Sequence, residues 1–197
     1  MPSIVNVGYK STNFWVISTG RARFLVDLGW PGTVTTLLAQ MQRMDIPMRE
    51  VTHGFATHYH PDHAGAAQDL KQRGMQLVVT PEQVPYITQM ARWMKPADRY
   101  TPIATHDNRV IPLAESRDFL AGLGLDGEFV HTPGHSDDSV SLVLDSGIAF
   151  TGDLTLPFMV GPEDAAVVAR SWQALRDRGV HTIHAGHAAP YPIPPAA

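Results

Sequence analysis

The chain has 197 residues, 44% of them hydrophobic and 17% charged. That suits one domain spanning residues 1–197 with a sizeable core, and no stretch approaches the ~20 apolar residues that span a bilayer. A net charge of −4 without any dense Lys/Arg run provides no field for a phosphate backbone, which argues against nucleic acid as a partner; a small-molecule substrate is expected instead. With no cysteine, disulfides, thiolate nucleophiles and cysteine-ligated metals are excluded, so any metal must sit on histidine and carboxylate.

The opening Met1-Pro2-Ser3-Ile4-Val5-Asn6-Val7-Gly8 has no basic region followed by an apolar run; no secretory signal is read there, and a cytoplasmic location is expected. Asn13 to Ser18 and Ala22 to Leu28 are β-rich runs separated by Gly20, and Gly29 with Pro31-Gly32 marks a turn. Thr33 to Met44 reads as a helix with Val34, Leu37, Leu38, Met41 and Met44 on one face. Val51 to Thr57 is a strand, Ala64 to Arg73 a helix ended by Gly74, and Gln76 to Thr80 a further strand. Residues 81–112 break this rhythm: a helix-like Glu82 to Lys95 is followed by prolines and polar residues, the expected insertion or lid. Glu128 to His131, Ser139 to Leu144 and Gly147 to Thr151 return as strands, Glu163 to Arg178 as a helix and His181 to His184 as the last strand. The Pro-rich tail from Pro190 is expected to be irregular. Such alternation of strands and helices predicts an α/β fold.

The segment His58-Tyr59-His60-Pro61-Asp62-His63 places three imidazoles and a carboxylate at the C-terminal end of a predicted strand, where open α/β sheets tend to place their sites. Residues two apart in extended chain share a side, so His58 and His60 converge on one metal, Tyr59 points away, and the turn into the next helix aims Asp62 and His63 at a second. Downstream, Gly134-His135, Gly152-Asp153 and Gly186-His187 each pair a glycine with a potential ligand at a strand end. Zinc accepts this nitrogen and oxygen set and leaves a position for water; iron and manganese suit it too. His53, His106, His131, His181 and His184 match no ligand position, although His131 and His184 are candidates to hydrogen-bond to ligands from outside. Asp27 reads as a turn or cap residue, and it is not counted as a ligand. Tyr86, Met90, Trp93 and Met94 have helical spacing and would serve either the core or the roof of an apolar pocket, as would Phe158 and Met159.

From the strand Phe24–Leu28 to His187 the sequence resembles the metallo-β-lactamase-fold superfamily, whose HxHxDH motif, later histidine, bridging aspartate and last histidine occur here in that order. The resemblance implies an αββα sandwich of two mixed β-sheets flanked by helices, and a dinuclear centre along one edge. It assigns His58, His60 and His135 to one divalent metal, Asp62, His63 and His187 to the other, and Asp153 as the bridge, and it puts Asp27 near the metal edge as an alternative to the turn or cap role. Two such metals, zinc first, would share a hydroxide formed near pH ~7 that attacks a carbonyl or phosphoryl centre. Asp62 would be the catalytic residue, orienting that nucleophile and passing a proton to the leaving group.

Departures from named branches narrow the expectation. Asp153 fills the place where some true β-lactamases use cysteine. The stretch Leu154 to Gly161 does not carry the Gly-Cys-Gly-Arg type segment usual in glyoxalase II-like thioesterases and related dioxygenases. The expected function is therefore hydrolysis of an ester, lactone, thioester or amide. An iron-dependent oxidoreductase on the same ligands, or a phosphodiesterase or nuclease, is the alternative.

Overall fold

In the computed structural model, which describes residues 2–195, two β-sheets lie face to face with helices on both outer sides. The first sheet has the order β1 (Ser3–Asn6), β2 (Trp15–Ser18), β3 (Arg23–Val26), β4 (Val51–Phe55), β5 (Gln76–Val79), β6 (Arg109–Val110). Its first three strands are antiparallel neighbours; β3 to β6 run parallel. The second sheet comprises, from one edge to the other, β11 (Tyr191–Pro192), β10 (Thr182–Ala185), β9 (Ile148–Gly152), β8 (Val140–Leu144) and β7 (Gly127–His131). Only β9 and β10 pair in parallel there. The helices are α1 (Val34–Arg43), α2 (Pro61–Ala64), α3 (Ala67–Lys71), α4 (Val84–Gln89), α5 (Ser116–Gly122) and α6 (Ala165–Arg176). The αββα sandwich of two mixed sheets implied by the resemblance is the fold observed.

The strands are apolar on both faces because each face meets a different layer. In β2, Trp15 and Ile17 enter the core between the sheets while Val16 faces the outer helical layer; in β3, Phe24 and Val26 do the first and Leu25 the second. Phe55 stacks on Phe129 across the inter-sheet core, ring centroids 4.4 Å apart. The outer cluster of the first sheet gathers Leu37 and Met41 of α1, Leu70 of α3 and Ile87 of α4. On the second sheet, Val168, Trp172 and Leu175 of α6 cover Val143, Ala149 and Ile183. The period-two alternation of the strands and the 3.6-residue period of α1 and α6 thus dictate the four layers.

Several expectations need correction. The helix predicted over Ala64–Arg73 is broken into α2 and α3, since the Ala66 N–H is spent on the Gly29 carbonyl (3.2 Å) rather than on the helix ladder. Gly65 sits at that break, and a Cβ there would collide with Pro31 and the Pro61 carbonyl, so only glycine lets the segment pack this closely. Met44 lies beyond the end of α1 and is half exposed. The 82–95 segment is helical only as α4, with a 3-10 turn over Met90–Trp93. The Pro-rich tail is not wholly irregular: β11 pairs with β10 at the sheet edge, where a proline without an N–H is tolerated. The strands β1 and β6 and the helix α5 were not anticipated. α5 is fixed by Leu120 in the inter-sheet core and by the Ser116 hydroxyl, which accepts from Phe129 N–H at 3.0 Å.

Candidate metal centre

All seven expected ligands lie past the C-terminal ends of strands at one rim. His58 and His60 follow β4, with Asp62 and His63 on α2; His135 follows β7, Asp153 follows β9 and His187 follows β10. Because β7 and β9 are both antiparallel to β8, and β10 is parallel to β9, the three strands of the second sheet that carry ligands point the same way. The Val140 N–H donates to the Thr57 carbonyl (2.8 Å), tying the two sheets together at this rim. At Gly152 the backbone takes φ +54° while a Cβ would strike Thr57, so glycine is what permits the turn that presents Asp153.

Two donor groups result. His58 Nε2 and His135 Nε2 each lie 3.0 Å from His60 Nδ1. Around the second group, His63 Nε2 is 3.4 Å from Asp62 Oδ2 and 3.3 Å from Asp153 Oδ1, and His187 Nε2 is 3.2 Å from both Asp62 Oδ2 and Asp153 Oδ2. Asp153 also approaches the first group, its Oδ2 3.7 Å from His135 Nε2. Within each group one ligand atom per residue lies within 4.8 Å of all the others.

Neighbours fix the tautomers. The Ser11 carbonyl can only accept, so His187 Nδ1, 2.6 Å away, carries the proton and Nε2 turns its lone pair to the carboxylates. Thr57 Oγ1 donates to Asp27 Oδ1 at 2.9 Å and therefore accepts from His58 Nδ1 at 3.2 Å, which frees His58 Nε2. Asp27 Oδ2 lies 2.9 Å from His63 Nδ1. Asp27 thus orients one histidine of each donor group. It sits buried at φ +61°, a conformation that Asp and Asn tolerate better than most residues. Its turn is real, and so is its place beside the metal edge, the two readings left open by the sequence.

Burial, with the proximity of the other imidazoles, holds the pKa of His58 well below the ordinary histidine value; His60 and His135 are lowered for the same first reason. Neutral imidazoles are the form that binds cations. Burial would also lower His63, but the charge of Asp27 and its contacts with Asp153 and Asp62 raise it well above the usual value. The same His63 contacts outweigh burial at Asp62 and Asp153 and keep both carboxyls below the normal range. Three carboxylates around one buried imidazole call for positive charge.

These residues fit a pair of divalent cations. The two distances of 3.0 Å from His60 Nδ1 to His58 Nε2 and His135 Nε2 are near the edge of about 3.3 Å expected of a tetrahedron with ~2.0–2.1 Å metal–nitrogen bonds. Buried His63 Nε2 and Asp153 Oδ1 face each other and make no hydrogen bond, the arrangement of two donors aimed at something between them.

Residues that the sequence reading missed hold the loops. Asn13 Nδ2 donates to the carbonyls of Ala185 (2.9 Å) and Ala188 (2.7 Å), clamping the His187 loop, and Asp138 Oδ2 accepts from Tyr59 N–H (2.7 Å) between the two first-group histidines. Nothing in their local sequence marks them, since their partners are 172, 175 and 79 residues away. Tyr59 points into the core as expected. His131 bonds to the Asp137 carbonyl and His184 packs on Trp15 and Phe150, so neither contacts a ligand. Of the candidate roof residues, Met90 is fully buried in the core, whereas exposed Trp93 sets its ring edge-to-face on His60, centroids 4.8 Å apart. An open cleft of about 510 Å³ adjoins His135, Asp153 and His187 and is lined further by Leu154, Thr155, Leu156, Met159, Ala188 and Tyr191.

The family model of the metallo-beta-lactamase superfamily matches residues 7–187. The chain belongs to that superfamily. Among its relatives are a probable metallo-hydrolase of Methanocaldococcus jannaschii, 26% identical over 164 residues (80% of this chain and 73% of that one), and a lactamase-like protein of Pestalotiopsis microspora, 25% identical over 182 residues (90% and 49%). An atrochrysone carboxyl ACP thioesterase of Aspergillus fumigatus is 29% identical over 153 residues, 75% of this chain but only 30% of that protein. The chain thus spans half or less of two of these three relatives. Among solved structures, a metallo-beta-lactamase family protein of Thermus thermophilus superposes with a TM-score of 0.71 at 18% identity (98% of this chain, 75% of that one). A beta-lactamase of Chitinophaga pinensis gives 0.71 at 17% (95% and 76%). At such identities the superpositions speak for the fold alone.

Proposed function

We propose that the chain is a metal-dependent hydrolase acting on an ester, lactone, thioester or amide of a small molecule, with a dinuclear centre. His58, His60 and His135 would hold one divalent cation, Asp62, His63 and His187 the other, and Asp153 would reach both. The observation that carries this reading is the convergence of those donors on two adjacent points beside an open, largely apolar cleft. When bound, the cations, zinc first among them, supply an acidified water and an electrophile for the scissile oxygen.

The chain's own residues do the rest. Asp62 accepts from Thr12 Oγ1 (3.2 Å), stays ionised and is part-exposed toward solvent, which supports a role for it in orienting the attacking water. Asp27, Thr57 and the Ser11 carbonyl hold the imidazoles in the tautomers that turn lone pairs inward. The segment 81–112 brings Trp93 against His60 and serves as the roof on that side. Names of relatives support hydrolysis, one being called a probable metallo-hydrolase, and carbonyl chemistry, another being called a thioesterase. Among the described residues, the cleft lining has no Lys or Arg to neutralise a phosphodiester.

Metal analysis of the purified protein, with a panel of ester, thioester, lactone, β-lactam and phosphodiester substrates on the same sample, tests the proposal. The expected result is two zinc per chain with turnover of carbonyl substrates. Iron without hydrolysis would replace it with an oxidoreductase, and turnover of phosphodiesters alone with a nuclease.

A further inference from the structure

Apolar surface is concentrated around the donor cluster beyond what the reaction itself requires. Past the donors, the cleft is walled by Leu154, Leu156, Met159, Ala188 and Tyr191, and of the two hydroxyls in its lining, those of Thr155 and Tyr191, the first is spent on the Gly134 carbonyl (3.0 Å). The wall is held in place: the indole N–H of Trp172 donates to the Thr155 carbonyl (2.8 Å) and Met159 N–H to that of Leu156 (2.9 Å). A scissile carbonyl and a water fill little of about 510 Å³, a volume within the ~300–1,000 Å³ common for small-molecule sites. Six large apolar side chains are exposed among the described residues. One of them, Met159, lines the cleft, next in sequence to exposed Phe158, and another, Trp93, lies against His60. Apolar groups left in water beside a reactive centre mark where an apolar ligand group is covered.

We propose that this cleft is an acyl-chain subsite, so that the substrates are esters or thioesters whose acyl group is an apolar chain of several carbons. The assignment rests on the hydrolase reading above. The adaptable Met159 side chain and Leu156 grip the chain, while the carbonyl carbon lies at the His135 and Asp153 end of the cleft. In the reaction, water oxygen forms the new bond to the carbonyl carbon, the C–S or C–O bond to the leaving group breaks, and the thiol or alcohol departs with a proton. The products are that leaving group and an apolar carboxylic acid. Because no cationic side chain is among the described residues lining the cleft, an acyl group bearing its own carboxylate is disfavoured.

The test uses the zinc-loaded full chain and a series of N-acetylcysteamine thioesters that share one leaving group, from acetyl to octanoyl. Full burial of each added methylene would raise kcat/KM about fourfold, the ratio that ~0.8 kcal/mol per CH2 implies, and partial burial at least about twofold. Met159→Glu, at a position already 69% exposed, should fold and flatten this slope by placing a charge in the chain's path. Met44→Glu, exposed at the end of α1, should leave the slope as it is. A rising series flattened by Met159→Glu supports the subsite. Equal turnover of acetyl and octanoyl substrates, or a slope indifferent to Met159→Glu, overturns it while the hydrolase reading stands. No turnover of any member with metal bound overturns the subsite, and the hydrolase reading falls with it only if the ester, lactone and β-lactam members of the panel above are not hydrolysed either.

Discussion

Replacing Asp27 by Asn separates the two donor groups. The buried carboxylate accepts from Thr57 N–H (2.8 Å) and Thr57 Oγ1 (2.9 Å) through one oxygen and meets His63 Nδ1 (2.9 Å) through the other. Asparagine keeps the first oxygen, tolerates φ +61°, and has nearly the same volume, so the Thr57–His58 side is preserved. Its amide nitrogen, however, faces His63 Nδ1 as a donor against a donor. The imidazole must then move its proton to Nε2, where the lone pair directed at Asp62 and Asp153 is lost, or rotate out of its slot. Losing such an outer partner lowers metal affinity by about 10–100-fold, or about 1.4–2.7 kcal/mol. Titrating metal-stripped D27N with zinc against a chromophoric chelator should show the site of Asp62, His63 and His187 weakened by that factor, and the site of His58, His60 and His135 little changed. Two sites with wild-type affinities would refute the assignment of Asp27 to His63, and equal loss at both would show that the Thr57 branch matters as much.

Other outcomes are expected. Asp153→Ala should abolish hydrolysis and disturb both metal sites while most folding stability remains, and His106→Ala should change neither; full activity of Asp153→Ala would sink the site. Trp172→Ala empties the core beneath α6 and orphans the Thr155 carbonyl, so thermal unfolding should show a loss of about 3–5 kcal/mol, a fall in Tm of roughly 6–20 °C. Trp93→Ala removes a half-exposed ring from beside His60, and steady-state kinetics should show KM rising several-fold with Tm almost unmoved. Burial against Trp15 and Phe150 lowers the pKa of His184 below its unfolded value, so the folded state favours the neutral ring. That contribution is complete above pH ~6.5 and is lost as pH falls through the folded pKa. In metal-free protein, His184→Gln should therefore lessen the drop in Tm between pH 7.5 and 5.5, and an unaltered drop would count against this role.

The sequence by itself determined the α/β frame and marked seven candidate metal ligands. The ligands are readable because they cluster within six residues or follow a glycine at a strand end, and the elements because β2, β3, α1 and α6 carry their burial pattern in local periodicity. Tertiary structure alone decided what holds those ligands. The break between α2 and α3 comes from a carbonyl on Gly29, and the clamp on the His187 loop comes from Asn13. Asp27 acquires its role only when β3 and β4 align so that one carboxylate meets Thr57 and His63 together. The short β1, β6 and β11 and the helix α5 likewise exist because neighbours supply their hydrogen bonds and apolar contacts, which no window of a few residues contains. Periodicity is a local signal; the orientation of a ligand is set by partners brought together from across the chain.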